Sequence, residues 1–152
     1  MKRAIFIFLL LLSITWTWGQ KTNPNYDAEL ATELGADEYG MKQFVLVLLK
    51  TGGNTSEDTA LRDSCFAGHM ANIGRLVAEK KLIVAGPMEK NERSYRGIFI
   101  LDVPTLEEAE SLLRTDPAIK AEFLEPELYS WYGSAALSEY LPASDKIWKI
   151  GF

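Results

Sequence analysis

FVLVLL at residues 44–49 is an unbroken apolar run with no polar residue at alternate positions. A short run of this kind predicts a strand covered on both faces. TGGNT at 51–55 follows as turn chemistry, and Thr55 or Ser56 suits the cap of a helix whose first turn holds Glu57 and Asp58. From about 58 to 80, Leu61, Cys65, Phe66, Met70, Ile73, Leu76 and Val77 recur at three- and four-residue spacings. They predict a core-facing helical stripe, with Lys80 and Lys81 at its C-terminal end. A short buried strand over 82–85 is expected to stop at Gly86-Pro87, and 88–96 reads as a polar connection. A third strand over 97–103 is again apolar on both faces at Ile98, Phe99, Ile100 and Leu101. Thr105-Leu106-Glu107-Glu108 is a capping box, and Leu106, Ala109, Leu112 and Leu113 give its helix an inward side. After Asp116-Pro117 comes one short turn, then a fourth strand over 124–132.

The order strand, helix, strand, strand, helix, strand is the split β-α-β-β-α-β arrangement. It predicts a ferredoxin-like α+β sandwich with both helices on one face of an antiparallel sheet. Because the strands at 44–49 and 98–101 are apolar on both sides, the second face needs its own cover. Another copy of the chain would supply it, so a homodimer through the sheet faces is expected, in the manner of a dimeric α+β barrel. Around this domain, 41–132, lie an acidic leader with a short helix at 20–40 and a tail at 133–152 expected to pack on the domain.

The 152 residues carry a net charge of −5 and no basic run, which argues against nucleic acid as a partner. One cysteine, Cys65, and one histidine, His69, exclude an internal disulfide, a cysteine-based zinc site and a multi-histidine metal site. No phosphate loop or dinucleotide fingerprint is present, so neither cofactor nor metal is expected. Lys2 and Arg3 precede an apolar run at 4–14, and Thr17-Trp18-Gly19 offers small residues where a signal peptidase looks. Residues 1–19 therefore read as a cleaved signal peptide, and the mature protein as periplasmic or secreted without a membrane span. Losing Lys2 and Arg3 takes the charge from −5 to −7. The alternative is an uncleaved anchor with Trp16 and Trp18 at the interface, although the run is short for a span.

His69 is the side chain whose ordinary pKa lies nearest neutrality, which makes it the first candidate acid or base. It falls four residues from both Cys65 and Ile73, so a buried, hydrogen-bonded core histidine fits the same position. A working histidine is commonly oriented by a carboxylate. Asp116 is the candidate, and equally a good N-cap with proline at the first helical position. Cys65, one turn before His69, suits a core thiol better than a nucleophile. Gly86-Pro87 ends a strand or lets a ligand approach bare backbone. Trp131 and Tyr132 suit packing first and pocket lining second. Asn54-Thr55-Ser56 matches a glycosylation sequon and reads as a turn.

The run HMANIGRLVAEKKLIVAGP at 69–87, then Gly97 opening a strand, Asp116-Pro117, and a last strand ending near Trp131 together resemble the YciI-like family, the YCII-related domain, over about 41–132. The resemblance implies a ferredoxin-like domain dimerised through its sheets and a pocket holding a His-Asp pair, carried here by His69 and Asp116; from the reading of the residues above, Gly86, Pro87 and Trp131 are expected to line that pocket. It implies an unknown small organic molecule as the ligand. Two departures stand out: Ala118 replaces the usual aromatic after Asp-Pro, and Glu122 lies near a usual glycine. The function expected is a lyase- or isomerase-type proton transfer, against the alternative of a non-catalytic binding or accessory dimer.

Overall fold

The computed structural model describes residues 23–150, so the expected signal peptide lies outside the described residues. Four strands form one antiparallel sheet: β1 (Met41–Thr51), β2 (Leu82–Pro87), β3 (Tyr95–Leu101) and β4 (Leu124–Ser134), in the order β2-β3-β1-β4. Between them run α2 (Thr59–Ala78), α3 (Leu106–Leu113) and the single turn α4 (Pro117–Lys120), and a leader helix α1 (Ala28–Glu33) precedes the sheet. The architecture is a ferredoxin-like α+β sandwich of the dimeric α+β barrel type.

Alternation along β1 divides the molecule. Val45, Val47 and Leu49 point to the helices and join Leu76, Phe99, Leu101 and Leu113 in one core. Each such side chain contributes roughly 1.5–3 kcal/mol by leaving water. Leu46 and Leu48 point the other way, opposite Ile100 and Ile98 across the β1–β3 ladder, and all four are only half-buried. The helices cover one face of the sheet, and the other presents an apolar strip.

The sequence stripe on α2 needs correction. Its buried side is Cys65, His69, Asn72 and Leu76, whereas Leu61, Phe66 and Met70 are exposed. Phe66 and Met70 lie around the helix from that side, Leu61 is in line with it but in the exposed first turn, and two polar residues take inward positions. The cap is Asp58, whose carboxylate accepts from Leu61 N, in place of Thr55 or Ser56. Gly86-Pro87 is the end of β2, paired with Ile98 and Gly97, so it lies inside the strand and not beyond it. β2 is an edge strand, where proline's missing N–H breaks no ladder.

Two short connections set the position of α4. Asn54 Nδ2 donates to Ala121 O at 2.6 Å and Asn54 N donates to Glu122 O at 3.0 Å, fastening the loop after β1 to the end of α4. The sequon asparagine thus serves as a brace. Glu122 itself has φ +59, a left-handed conformation that favours glycine. After β4 the tail forms a 3-10 turn (Ala135–Glu139) and α5 (Tyr140–Ser144). Lys42 on β1 bonds Asp102 at 2.9 Å, and Ser138 of the 3-10 turn donates to the same carboxylate at 3.3 Å. Beyond α5 the side chains of Ile147, Trp148 and Ile150 are exposed. No helix among the described residues is long and apolar enough to cross a membrane.

Candidate active site

α2 is long enough to carry a side chain from the solvent to the sheet, and His69 lies midway along its buried side. Its ring stacks on Phe99 of β3, with centroids 5.8 Å apart and planes at 19°. The edge of the ring meets Phe66 at 6.1 Å, and Phe66 in turn lies 6.2 Å from Phe123. The imidazole is wedged between aromatic surfaces and is 9% exposed.

Asp116 approaches from the turn before α4. Its Oδ1 accepts from Ala118 N at 2.9 Å and Ile119 N at 3.4 Å, the N-cap that Asp-Pro favours. Its Oδ2 lies 2.7 Å from His69 Nδ1. Capping and ring orientation, which the sequence left as alternatives, are therefore performed by different oxygens of one carboxylate. Asp116 is fully buried, so water does not compete for either oxygen. An ionised carboxylate only accepts, which makes Nδ1 the donor. Nε2 has no partner among the described residues, where no buried side-chain nitrogen or oxygen is left unpaired, so it opens to solvent.

Close packing enforces the approach. A Cβ on Gly68 would lie 2.6 Å from Pro117 Cγ, so only glycine lets α4 come this near to α2. Two further residues join the pair. Asn72, one turn beyond His69 and buried, directs Nδ2 at Asp116 Oδ2 at 3.5 Å. Its Oδ1 accepts from Arg75 Nη2 at 2.8 Å and faces the Thr115 hydroxyl at 3.0 Å. Neither Asn72 nor Gly68 stood out in the sequence. The signal available was an asparagine three residues after the histidine on a face otherwise destined for the core.

The remaining sequence candidates separate. Pro87 pairs with Gly97 and Ala85 with Phe99, so both share the face on which His69 stacks, and both are exposed. Gly86 pairs with Ile98 on the opposite face, where a Cβ would meet nothing within 4 Å. Trp131 pairs with Phe44 and packs on its ring at 5.6 Å, also on the opposite face. Neither Gly86 nor Trp131 lines a pocket with His69, because adjacent residues of a strand point to opposite sides. Tyr132 donates to Asp37 and ties the leader to β4. Cys65 is a buried free thiol.

Among the described residues no group of three or more His, Cys, Asp or Glu side chains could hold a metal ion. An open apolar groove of about 950 Å³ lies on the outer side of α2, between Met70 and Ile73 and the tail residues Ile147 and Trp148. His69 does not line it, so the groove is separate from the chemistry of the pair.

No curated protein matches the chain. Among solved structures, the 5-chloro-2-hydroxyhydroquinone dehydrochlorinase of Burkholderia phenoliruptrix AC1100, in complex with 2,5-dihydroxybenzoquinone, is similar at 23% identity and a TM-score of 0.41, over 58% of this chain and 92% of that one. The family model of the YCII-related domain matches residues 44–131, more than half of this sequence, and the chain belongs to that family.

Proposed function

We propose that this protein is a small-molecule enzyme in which His69 moves a proton at Nε2 while Asp116 fixes the ring. The observation that carries the reading is the 2.7 Å contact between His69 Nδ1 and a fully buried carboxylate whose other oxygen is committed to the α4 backbone. With Nδ1 donating, the neutral ring keeps a lone pair at Nε2, on the side away from Asp116. The base takes a proton from the substrate and becomes imidazolium, whose charge the carboxylate offsets. It then returns the proton to another atom of the substrate or to a leaving group, which is isomerase- or lyase-type chemistry needing only this pair. The substrate is a small organic molecule entering beside Ala85 and Pro87.

In this reading the protein acts after export, with 1–19 as its signal, and as a homodimer. The half-buried strip of Leu46, Leu48, Ile98 and Ile100 supports the second copy, since a strip of that kind on a sheet face is ordinarily covered.

The test is wash-in of deuterium from heavy water into a panel of carbonyl compounds bearing an acidic C–H, followed by proton NMR. Exchange into a panel member that His69→Ala abolishes and Asp116→Asn slows by roughly 10²–10⁴ supports the proposal. Exchange that survives His69→Ala refutes it.

A further inference from the structure

Arg75, Asn72 and Asp116 form a line that ends at His69. The guanidinium can only donate and the carboxylate can only accept. A primary amide is the side chain that presents an acceptor to the first and a donor to the second. Both ends of Asn72 agree on one orientation: Oδ1 receives Arg75 Nη2 at 2.8 Å and Nδ2 faces Asp116 Oδ2 at 3.5 Å. Arg75 Nη2 also donates to Thr115 Oγ1 at 2.9 Å, next to Asp116 in the chain, and Thr115 Oγ1 lies 2.6 Å from Leu112 O. The amide therefore has no freedom to turn over without setting carbonyl oxygen against carboxylate.

We propose that Asn72 is a positioning residue for the acid–base pair, resting on the reading of His69 and Asp116 given above. Among the described residues its N–H is the one donor other than His69 on Oδ2, and it holds that oxygen in the acceptor role in a place where water cannot substitute. Arg75, at the surface end, polarises the amide and fixes its sense. The contact to Asp116 is long, so its effect on turnover is at the low end for a hydrogen bond to a charged group, about tenfold.

Asn72→Asp is the sharpest variant, because it is nearly isosteric, keeps an acceptor for Arg75, and replaces the donor toward Asp116 by a second carboxylate. Two carboxylates at that separation share a proton, so Asp116 ceases to be a dedicated acceptor for Nδ1. Asn72→Ala removes the donor without adding charge. The readouts are the ¹⁵N shifts of the sole imidazole and the solvent-exchange rate of its Nδ1–H. We expect Asn72→Ala to keep the tautomer but speed Nδ1–H exchange about tenfold. We expect Asn72→Asp to change the ¹⁵N pattern itself. If Asn72→Asp fails to fold, the exchange rate in Asn72→Ala decides. Lowered thermal stability with unchanged ¹⁵N shifts and exchange in the folded variants overturns the inference and leaves Asn72 a packing residue. The underlying pair is judged separately: Asp116→Asn without effect on the tautomer removes the pair, whereas an effect there with none at Asn72 removes only this inference.

Discussion

Gly68 lies against Pro117 so closely that a Cβ on residue 68 would stand 2.6 Å from the proline Cγ. The next residue along α2 is His69 and the residue before Pro117 is Asp116, so this one contact sets the separation of the pair. A proline ring cannot swing aside as a flexible side chain would.

Gly68→Ala is therefore expected to push α4 away from α2. Overpacking of this kind costs about 1–3 kcal/mol, partly offset by alanine's better helix propensity, worth about 1 kcal/mol. The effect on the site is larger than the effect on stability, because Asp116 moves with Pro117 and the Nδ1–Oδ2 contact lengthens. Chemical denaturation and the His69 ¹⁵N shifts, measured on the same sample, are expected to show a modest loss in the first and a clear change in the second.

Tyr132 and Asp37 give a pH signature remote from the site. Donation of the Tyr132 hydroxyl to the Asp37 carboxylate pushes the phenol up to about 12 and, with the Met41 N–H, holds the carboxyl below its usual range. The tyrosine contribution is complete below its unfolded value near 10 and is lost as pH rises through about 12. The carboxylate contribution is present above the unfolded value near 3.9 and is lost as pH falls through the lower folded one. Ultraviolet titration of the tyrosines is expected to show two late-ionising phenols, Tyr129 beside the Glu127 carboxylate and, latest, Tyr132, and Asp37→Asn returns only the latter toward 10.

On the open face, Leu46 stands opposite Ile100. If a second copy covers this strip, Ile100→Lys buries an unpaired charge at the interface and gives a monomer by light scattering, with the far-ultraviolet circular dichroism of the domain retained. A variant that stays dimeric would place the interface elsewhere.

The order of elements and the cap at Thr105 were legible in the sequence, because apolar runs and capping chemistry are local. Asp116-Pro117 was legible as a cap for the same reason. The side of α2 that faces the sheet was not. Leu61, Phe66 and Met70 have the hydrophobicity of core residues, whereas His69 and Asn72 are inside because a carboxylate from another turn satisfies them, and that partner is 47 residues from His69. Whether Trp131 packs or lines a pocket was open in the sequence for a related reason. A strand apolar on both sides does not announce which residue meets the helices, and the pairing of Trp131 with Phe44 settles it. Gly68 was silent because a helical glycine has meaning only beside the ring it admits.

The measurement that bears most directly on the account is the tautomer of His69, which a long-range ¹H–¹⁵N spectrum reads without ambiguity in a chain with one histidine. In the wild type the neutral ring is expected to carry its proton on Nδ1, leaving Nε2 bare. In Asp116→Asn the backbone donors of Ala118 and Ile119 keep the amide oxygen, so the amide NH₂ faces His69 and the proton moves to Nε2. A wild-type ring protonated on Nε2, or a tautomer indifferent to Asp116→Asn, would contradict the account.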